Sequence, residues 1–397
     1  MPTTITFFPV DNGDMTLIKF GDLDATTLLI DVNIRQDADN PEKDVRDVAK
    51  DLRERLKKDE NGRPYVDAFL LSHPDQDHCR GLTRHFHLGP LDKYPDDKKD
   101  DKDKKIVIRE MWSSPIVFRR ASKTHTLSDD AKAFNTEARR RVQLNRDKKF
   151  AVGNGDRIQI MGEDIDGKTD DLTSIVRKVD TRFSTINGKS SAFFSAFLLA
   201  PLDAQDDEEE EECLVKNQSS VILNITLAAD AQTPDGAKFL TGGDAEVFIW
   251  NRQWQRHEAE ADVLEYDIML APHHCSWHSL SYDSWSDYGE KAKLDADARK
   301  ALSQTRDGAV IVASCKPIAD DDSDPPCIRA KREYVVIVDE AKGEFYCTGE
   351  YPNEKSVESL VFTVTAQGVQ PPSKKESGLK AAAVITSART PMPHGTS

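Results

Sequence analysis

One six-residue segment constrains this chain more than any other. His73-Pro74-Asp75-Gln76-Asp77-His78 sets four potential metal ligands directly after the apolar run Tyr65 to Leu71 (YVDAFLL). A single His-Asp pair there would read as a polar turn with capping side chains. A buried-type strand that runs straight into so dense a set of imidazoles and carboxylates points instead to a metal loop. Imidazole nitrogen together with carboxylate oxygen suits Zn, Mn or Fe rather than Ca. In a tight loop the residues at i and i+2 can face one ion and those at i+4 and i+5 a second, and two ions roughly 3.5–4 Å apart can activate a water and clamp a leaving oxygen.

The rest of the chain supplies a frame for such a loop. Ile5 to Val10 and Met15 to Phe20 read as strands on either side of the turn Asp11-Asn12-Gly13-Asp14, and Thr26 to Val32 as a third. Val45, Val48, Leu52 and Leu56 have helical spacing within 39–58. The opening is therefore β-β-β-α-β. Residues 92–105 are rich in Asp and Lys with almost no apolar content, which predicts a solvated, mobile tract. Ile106 to Val117 regains strand character. Residues 119–149 are basic and predicted helical, and two readings stand side by side: a solvated helical face, or a phosphate-contact surface built on Arg119, Arg120, Arg139, Arg140 and Arg141. The run Asp206 to Glu212 reads as an exposed acidic loop. Strands return at Val221 to Leu227, Lys238 to Thr241, Tyr266 to Ala271, Ala309 to Ala313 and Tyr334 to Val338. Beyond Gly368 the composition turns to Pro, Ser, Lys and Ala, so a disordered tail is predicted over 368–397.

This is an α/β chain with its metal-type residues at the C-terminal ends of strands, where open α/β folds place their sites. The formal net charge of −16 argues against a protein that coats nucleic acid non-specifically. It does not exclude a nuclease, because divalent ions and a local basic patch reverse the sign where it matters. No apolar run approaches the ~20 residues that span a bilayer. The N-terminus lacks the features of a signal peptide, and the six cysteines show no CxxC spacing. Free thiols and a cytoplasmic location are expected.

The motif resembles the HxHxDH signature of metallo-β-lactamase-fold hydrolases, with Asp75 in place of the second His. That variant, followed by Gly81-Leu82, is similar to the hydrolase domain of the ComEC-type DNA-uptake proteins. Other segments resemble the same branch in the same order. Phe8 to Asp14 resembles its VGxGD turn, and Leu28-Leu29-Ile30-Asp31 its LLIDxG strand, with Asn33 where that pattern has Gly. Asn217-Gln218-Ser219-Ser220 resembles the Asn-x-x-Ser found where most relatives carry a third His. Leu240-Thr241-Gly242-Gly243-Asp244 resembles the TGD motif, and Pro272-His273-His274-Cys275-Ser276 resembles HHGS with Cys275 replacing Gly.

The resemblance covers about 5–90 and 215–350. It implies an αββα sandwich of two mixed sheets flanked by helices, in a domain spanning 1–367 with a charged insertion at about 91–214. It further implies two divalent ions, Zn or Mn. His73 and Asp75 would hold one, and Asp77 and His78 the other. Asp77 would also orient the attacking water, and Asp244 would bridge. One of His273 and His274 would ligate, and the other would donate a proton or bind phosphate. The missing His leaves completion to water, Asn217 or Ser220. Ser276 and Trp277 become candidates for substrate contact, Trp277 by stacking on a base. Cys275 reads as small packing beside a turn, His85 and His87 as supporting or surface residues, and His278 as an open case. The implied activity is hydrolysis, first of a phosphodiester in DNA or RNA. A cyclic nucleotide, phosphocholine or lactone substrate is the alternative. A third reading, from a different class, is a sensor or partner subunit of a multi-protein antiviral-defence system, bound to a protein encoded nearby.

Overall fold

The computed structural model describes residues 2–115, 126–164, 167–202 and 217–372, apart from the side chain of Gln218. Two mixed sheets face one another, each covered by helices on its outer side. In the first sheet Thr3–Phe7, Thr16–Lys19 and Thr27–Ile30 pair antiparallel. Pro64–Leu71, Ile106–Ser113 and Arg157–Met161 then continue in parallel. In the second sheet Phe194–Ala200, Ile222–Leu227 and Ala237–Leu240 pair antiparallel. Tyr266–Leu270, Thr305–Ala313 and Glu344–Cys347 follow in parallel.

Side-chain alternation builds the layers. Ile5, Phe7, Leu28, Ile30, Ala68 and Leu70 point between the sheets, against Leu198, Leu223, Ile225, Phe239, Ile268 and Val312. On the outer face of the first sheet Leu29, Phe69 and Leu71 pack under Val48 and Leu52 of the helix Val48–Arg55, and under Phe134, Ala138 and Val142 of the helix Asp129–Asp147. The outer face of the second sheet packs Met269 and Ile311 against Ile249, Trp250, Tyr334 and Ile337. Pro64–Leu71 is buried along its whole length, as a parallel strand covered on both faces must be.

Several expectations are corrected. Tyr334 to Val338 is not a strand but part of the helix Ile328–Glu340. Its buried positions Ala330, Tyr334, Ile337 and Val338 have helical spacing, and a short apolar run does not by itself distinguish the two periods. The helix expected across 39–58 is confined to Val48–Arg55. The tract 92–105 is folded onto the surface: Tyr94 donates to the Lys105 carbonyl at 2.6 Å, Arg63 pairs with Asp97 and Lys104 with Asp101. Within 91–214 the described strands Ile106–Ser113 and Arg157–Met161 extend the first sheet, and Phe194–Ala200 extends the second. The chain also remains ordered past 368: Gly368–Gln370 pairs with Leu360–Thr365. Arg119, Arg120, the acidic run 206–212 and the chain after 372 lie outside the described residues. Among the described residues no helix is long and apolar enough to cross a membrane, and Cys79, Cys275, Cys315, Cys327 and Cys347 are free thiols.

Candidate metal centre

The site forms where strand ends of the two sheets meet. Pro64–Leu71 ends at Ser72 and delivers His73, Asp75, Asp77 and His78. Ala237–Leu240 ends in the turn that carries Asp244, and Tyr266–Leu270 ends at Pro272 and the histidine pair. Two glycines make the approach close enough. A Cβ on Gly13 would lie 2.7 Å from the Asp77 carbonyl oxygen, and one on Gly243, at φ +48°, would lie 2.8 Å from the Ser220 Cβ.

Asp244 is the centre of the arrangement, and its two oxygens face different partners. Oδ1 lies 3.0 Å from His78 Nε2 and 3.4 Å from His274 Nε2. Oδ2 lies 3.4 Å from His73 Nε2 and 4.0 Å from His273 Nε2. Asp77 joins the Oδ1 side, 3.5 Å from His274 Nε2, and Asp75 joins the Oδ2 side, 3.8 Å from His73 Nε2.

Two further carboxylates stand behind the imidazoles. Asp31 accepts from Ser72 N and Oγ at 2.7 and 2.6 Å, and its Oδ2 is 2.8 Å from His78 Nδ1. Asp14 Oδ1 is 3.4 Å from His274 Nδ1. A carboxylate on Nδ1 fixes the ring orientation and aims Nε2 forward, the arrangement typical of metal-ligating histidines. Asp14, His78, Asp244 and His274 each offer a ligand atom within 4.8 Å of the others, a group that could hold a metal ion.

The hydrogen-bond accounting points the same way. Asp14 Oδ1, His73 Nε2, His78 Nε2, Asp244 Oδ1, His273 Nδ1 and both ring nitrogens of His274 are buried without a hydrogen-bond partner. Buried polar atoms are rarely left so, and these belong to side chains gathered around Asp244. The donor set is imidazole and carboxylate, which fits a divalent cation.

Charge is tightly coupled across the cluster. Burial alone would lower the His78 and His274 imidazoles. The carboxylates of Asp244 and Asp31 drive His78 well above its usual value, and Asp244, Asp14 and Asp77 raise His274 to about 10. Burial would raise Asp77 and Asp244, but the neighbouring imidazoles of His274 and His78 hold Asp77 far below the carboxylate range, and His78, His274 and His73 do the same for Asp244. His273 is lowered, mainly by burial. Protons on His78 and His274 thus stand where a cation would replace them.

Other expected contacts resolve differently. Ser276 is fully buried, and its hydroxyl donates to Asp324 at 2.6 Å, so it does not face substrate. Trp277 is also fully buried, under the Arg329 guanidinium, and offers no face for stacking. Ser220 Oγ accepts from the Asp244 backbone at 3.1 Å and so places Asp244. Asn217 reaches the site through Glu246, which accepts its amide at 3.0 Å and lies 3.6 Å from His273 Nδ1.

Arg140 and Arg141 are no phosphate surface. Arg140 bonds Glu137 and Asp156. Arg141 is buried and bonds Glu137 and the carbonyls of Arg157 and Ile108. Arg139 lines a separate surface hollow with Arg146 and Lys168. His85 is held by Asp39 and Arg53, and His87 by the Pro90 carbonyl. His278 faces Asp324 at 4.0 Å.

Sequence reasoning gave no role to Asp14, Asp31 or Glu246. Asp14 and Asp31 belong to segments whose resemblance was legible, but an isolated Asp after a strand is ordinary turn chemistry. Glu246 carried no signal at all. No known protein family matches this chain, and no curated protein is significantly similar to it.

Proposed function

We propose that this chain is a metal-dependent hydrolase of the metallo-β-lactamase type, ComEC-like in its ligand pattern, that cleaves phosphodiesters with the help of two divalent ions, Zn or Mn. The observation that carries the reading is the divided surround of Asp244: His78, His274 and Asp77 on the side of one oxygen, His73, His273 and Asp75 on the side of the other. Bound there, the ions would supply an activated water and neutralise charge building on the phosphoryl group.

The side chains divide the remaining work. Asp77 lies against His274 and also lines the neighbouring cavity of about 760 Å³, so it is placed to accept a hydrogen bond from the attacking water. His273 retains some exposure, with Glu246 near its Nδ1, and occupies the edge where a leaving oxygen would need a donor. Asp14 and Asp31 hold the rings of His274 and His78 in place.

The cavity favours a second reading. Asp75, Asp77, Asp129 and Asp130 line it, and no Lys or Arg does so among the described residues. A small ester with a cationic end, such as a phosphocholine ester, suits that lining better than a polyanion. One experiment separates the two: metal analysis of chain purified without chelator, followed by a Mn²⁺- and Zn²⁺-supplemented panel of single- and double-stranded DNA, RNA, cyclic nucleotides and phosphocholine esters. Strand cleavage supports the first reading, and release of choline phosphate alone supports the second. A chain that takes up metal and hydrolyses nothing in the panel counts against both.

A further inference from the structure

We infer that Asp324, far along the chain from every group of the centre, is the positioning residue that holds His273 and His274 in place. This rests on the metal reading above. His273, His274 and Cys275 take φ values of 49°, 52° and 68°. Three successive residues with a Cβ in the left-handed region are costly, and such a run persists only where its surroundings over-determine it. The loop's own bonds are few: Ser276 N to the His273 carbonyl at 2.9 Å and Cys275 N to the Pro272 carbonyl at 3.2 Å.

Further restraint comes from the Asp244 turn, where the Gly243 carbonyl accepts from His273 N at 2.9 Å, and from the segment 324–327. Asp324 Oδ1 accepts from Ser276 Oγ at 2.6 Å and from Trp277 N at 3.1 Å, and Cys327 N donates to the Cys275 carbonyl at 2.9 Å. The same segment grips the opposite wall, because Asn12 Nδ2 donates to the Pro325 carbonyl at 3.1 Å. Asn12 stands two residues before Asp14, the carboxylate behind His274. Asp324 has a side chain only 7% exposed, and its Oδ2 is buried without a hydrogen-bond partner. Asp324 thus ties the closing loop to a segment that is itself bonded, through the Pro325 carbonyl, to the loop that orients the ligand ring. Ser276, read from sequence as a substrate contact, serves as its handle.

The test titrates Mn²⁺ and Zn²⁺ calorimetrically into chelator-treated full-length chain, with thermal unfolding of the metal-free form in parallel. Asp324→Ala should weaken binding about 10- to 100-fold, as loss of an outer support to a metal ligand does. Asp324→Asn keeps an oxygen acceptor for both bonds and should bind close to wild type. A merely structural residue would lower the melting temperature and leave the affinity of the folded chain unchanged. Equal affinity in Asp324→Ala and wild type overturns the proposal and spares the metal reading, as does Asp324→Asn binding as weakly as Asp324→Ala. A wild-type chain that binds neither ion overturns both. Where Asp324→Ala does not fold, Ser276→Ala decides: weaker binding supports the clamp, and wild-type binding overturns it.

Discussion

The helix Asp129–Asp147 and the centre around Asp244 are both dense in charge, and they handle it in opposite ways. In the helix, Arg140 and Arg141 bond Glu137, Asp156 and three backbone carbonyls. At the centre, seven buried nitrogen and oxygen atoms of Asp14, His73, His78, Asp244, His273 and His274 have no partner. Charge that is fully bonded inside the protein is structural, because nothing remains with which to hold a ligand. Polar groups that are buried, convergent and unbonded mark the place where a ligand completes the accounting. Density of charge in sequence does not distinguish the two cases, and the state of the hydrogen bonds does.

The comparison breaks most decisively at Asp244. Asp244→Ala should abolish metal uptake, read by elemental analysis, and reduce hydrolysis to background while circular dichroism stays native. Retained metal would show that the unbonded cluster is not the site. Arg141→Ala should do the reverse. Removing its guanidinium takes a donor from two carbonyls and weakens the support of buried Glu137, so denaturant unfolding should show a loss of about 3 kcal/mol. Metal affinity should not change, and a drop there would mean that helix and centre are coupled. Asp31→Asn sharpens the contrast within the centre. It should weaken metal binding of the folded chain about 10- to 100-fold by loosening His78, read by calorimetric titration.

The smallest effect is a pH dependence. His274, at about 10 in the folded chain, lies above its unfolded value. Its contribution to metal-free stability is complete below about pH 6.5 and is lost as pH rises toward 10. Asp77 and Asp244 are depressed, so their contribution is complete above about pH 4 and is lost only as pH falls below it. The metal-free melting temperature should therefore decline across the alkaline range, and metal-loaded chain, whose imidazoles must be neutral, should not follow it. Parallel alkaline declines in both forms would remove the protonated pair from the account.

The legible parts of the sequence are those where signals reinforce one another. His73 to His78 combined ligand density with a preceding buried strand, and Asp244 and the His273–His274 pair each closed an apolar run. The α/β alternation followed from periodicity in the same way. Asp14, Asp31, Glu246 and Asp324 escaped because a lone carboxylate acquires its meaning only from neighbours that are distant in the chain. Tyr334 to Val338 escaped because five apolar-rich residues fit either period. The phosphate-contact reading of Arg140 and Arg141 failed because sequence displays a charge without its partner, and Glu137 and Asp156 came into view only with the fold.

Asp244 follows a strand of the second sheet, whereas His73 and His78 follow a strand of the first. A cation caught among them would be a rivet through both layers, and it would have nothing to grip until the two had docked. Unlike a finger whose ligands are neighbours along the chain, such a centre would be unable to nucleate the protein that carries it. Uptake of metal would then report that assembly is finished, and a stalled or half-docked chain would stay empty however much ion surrounds it.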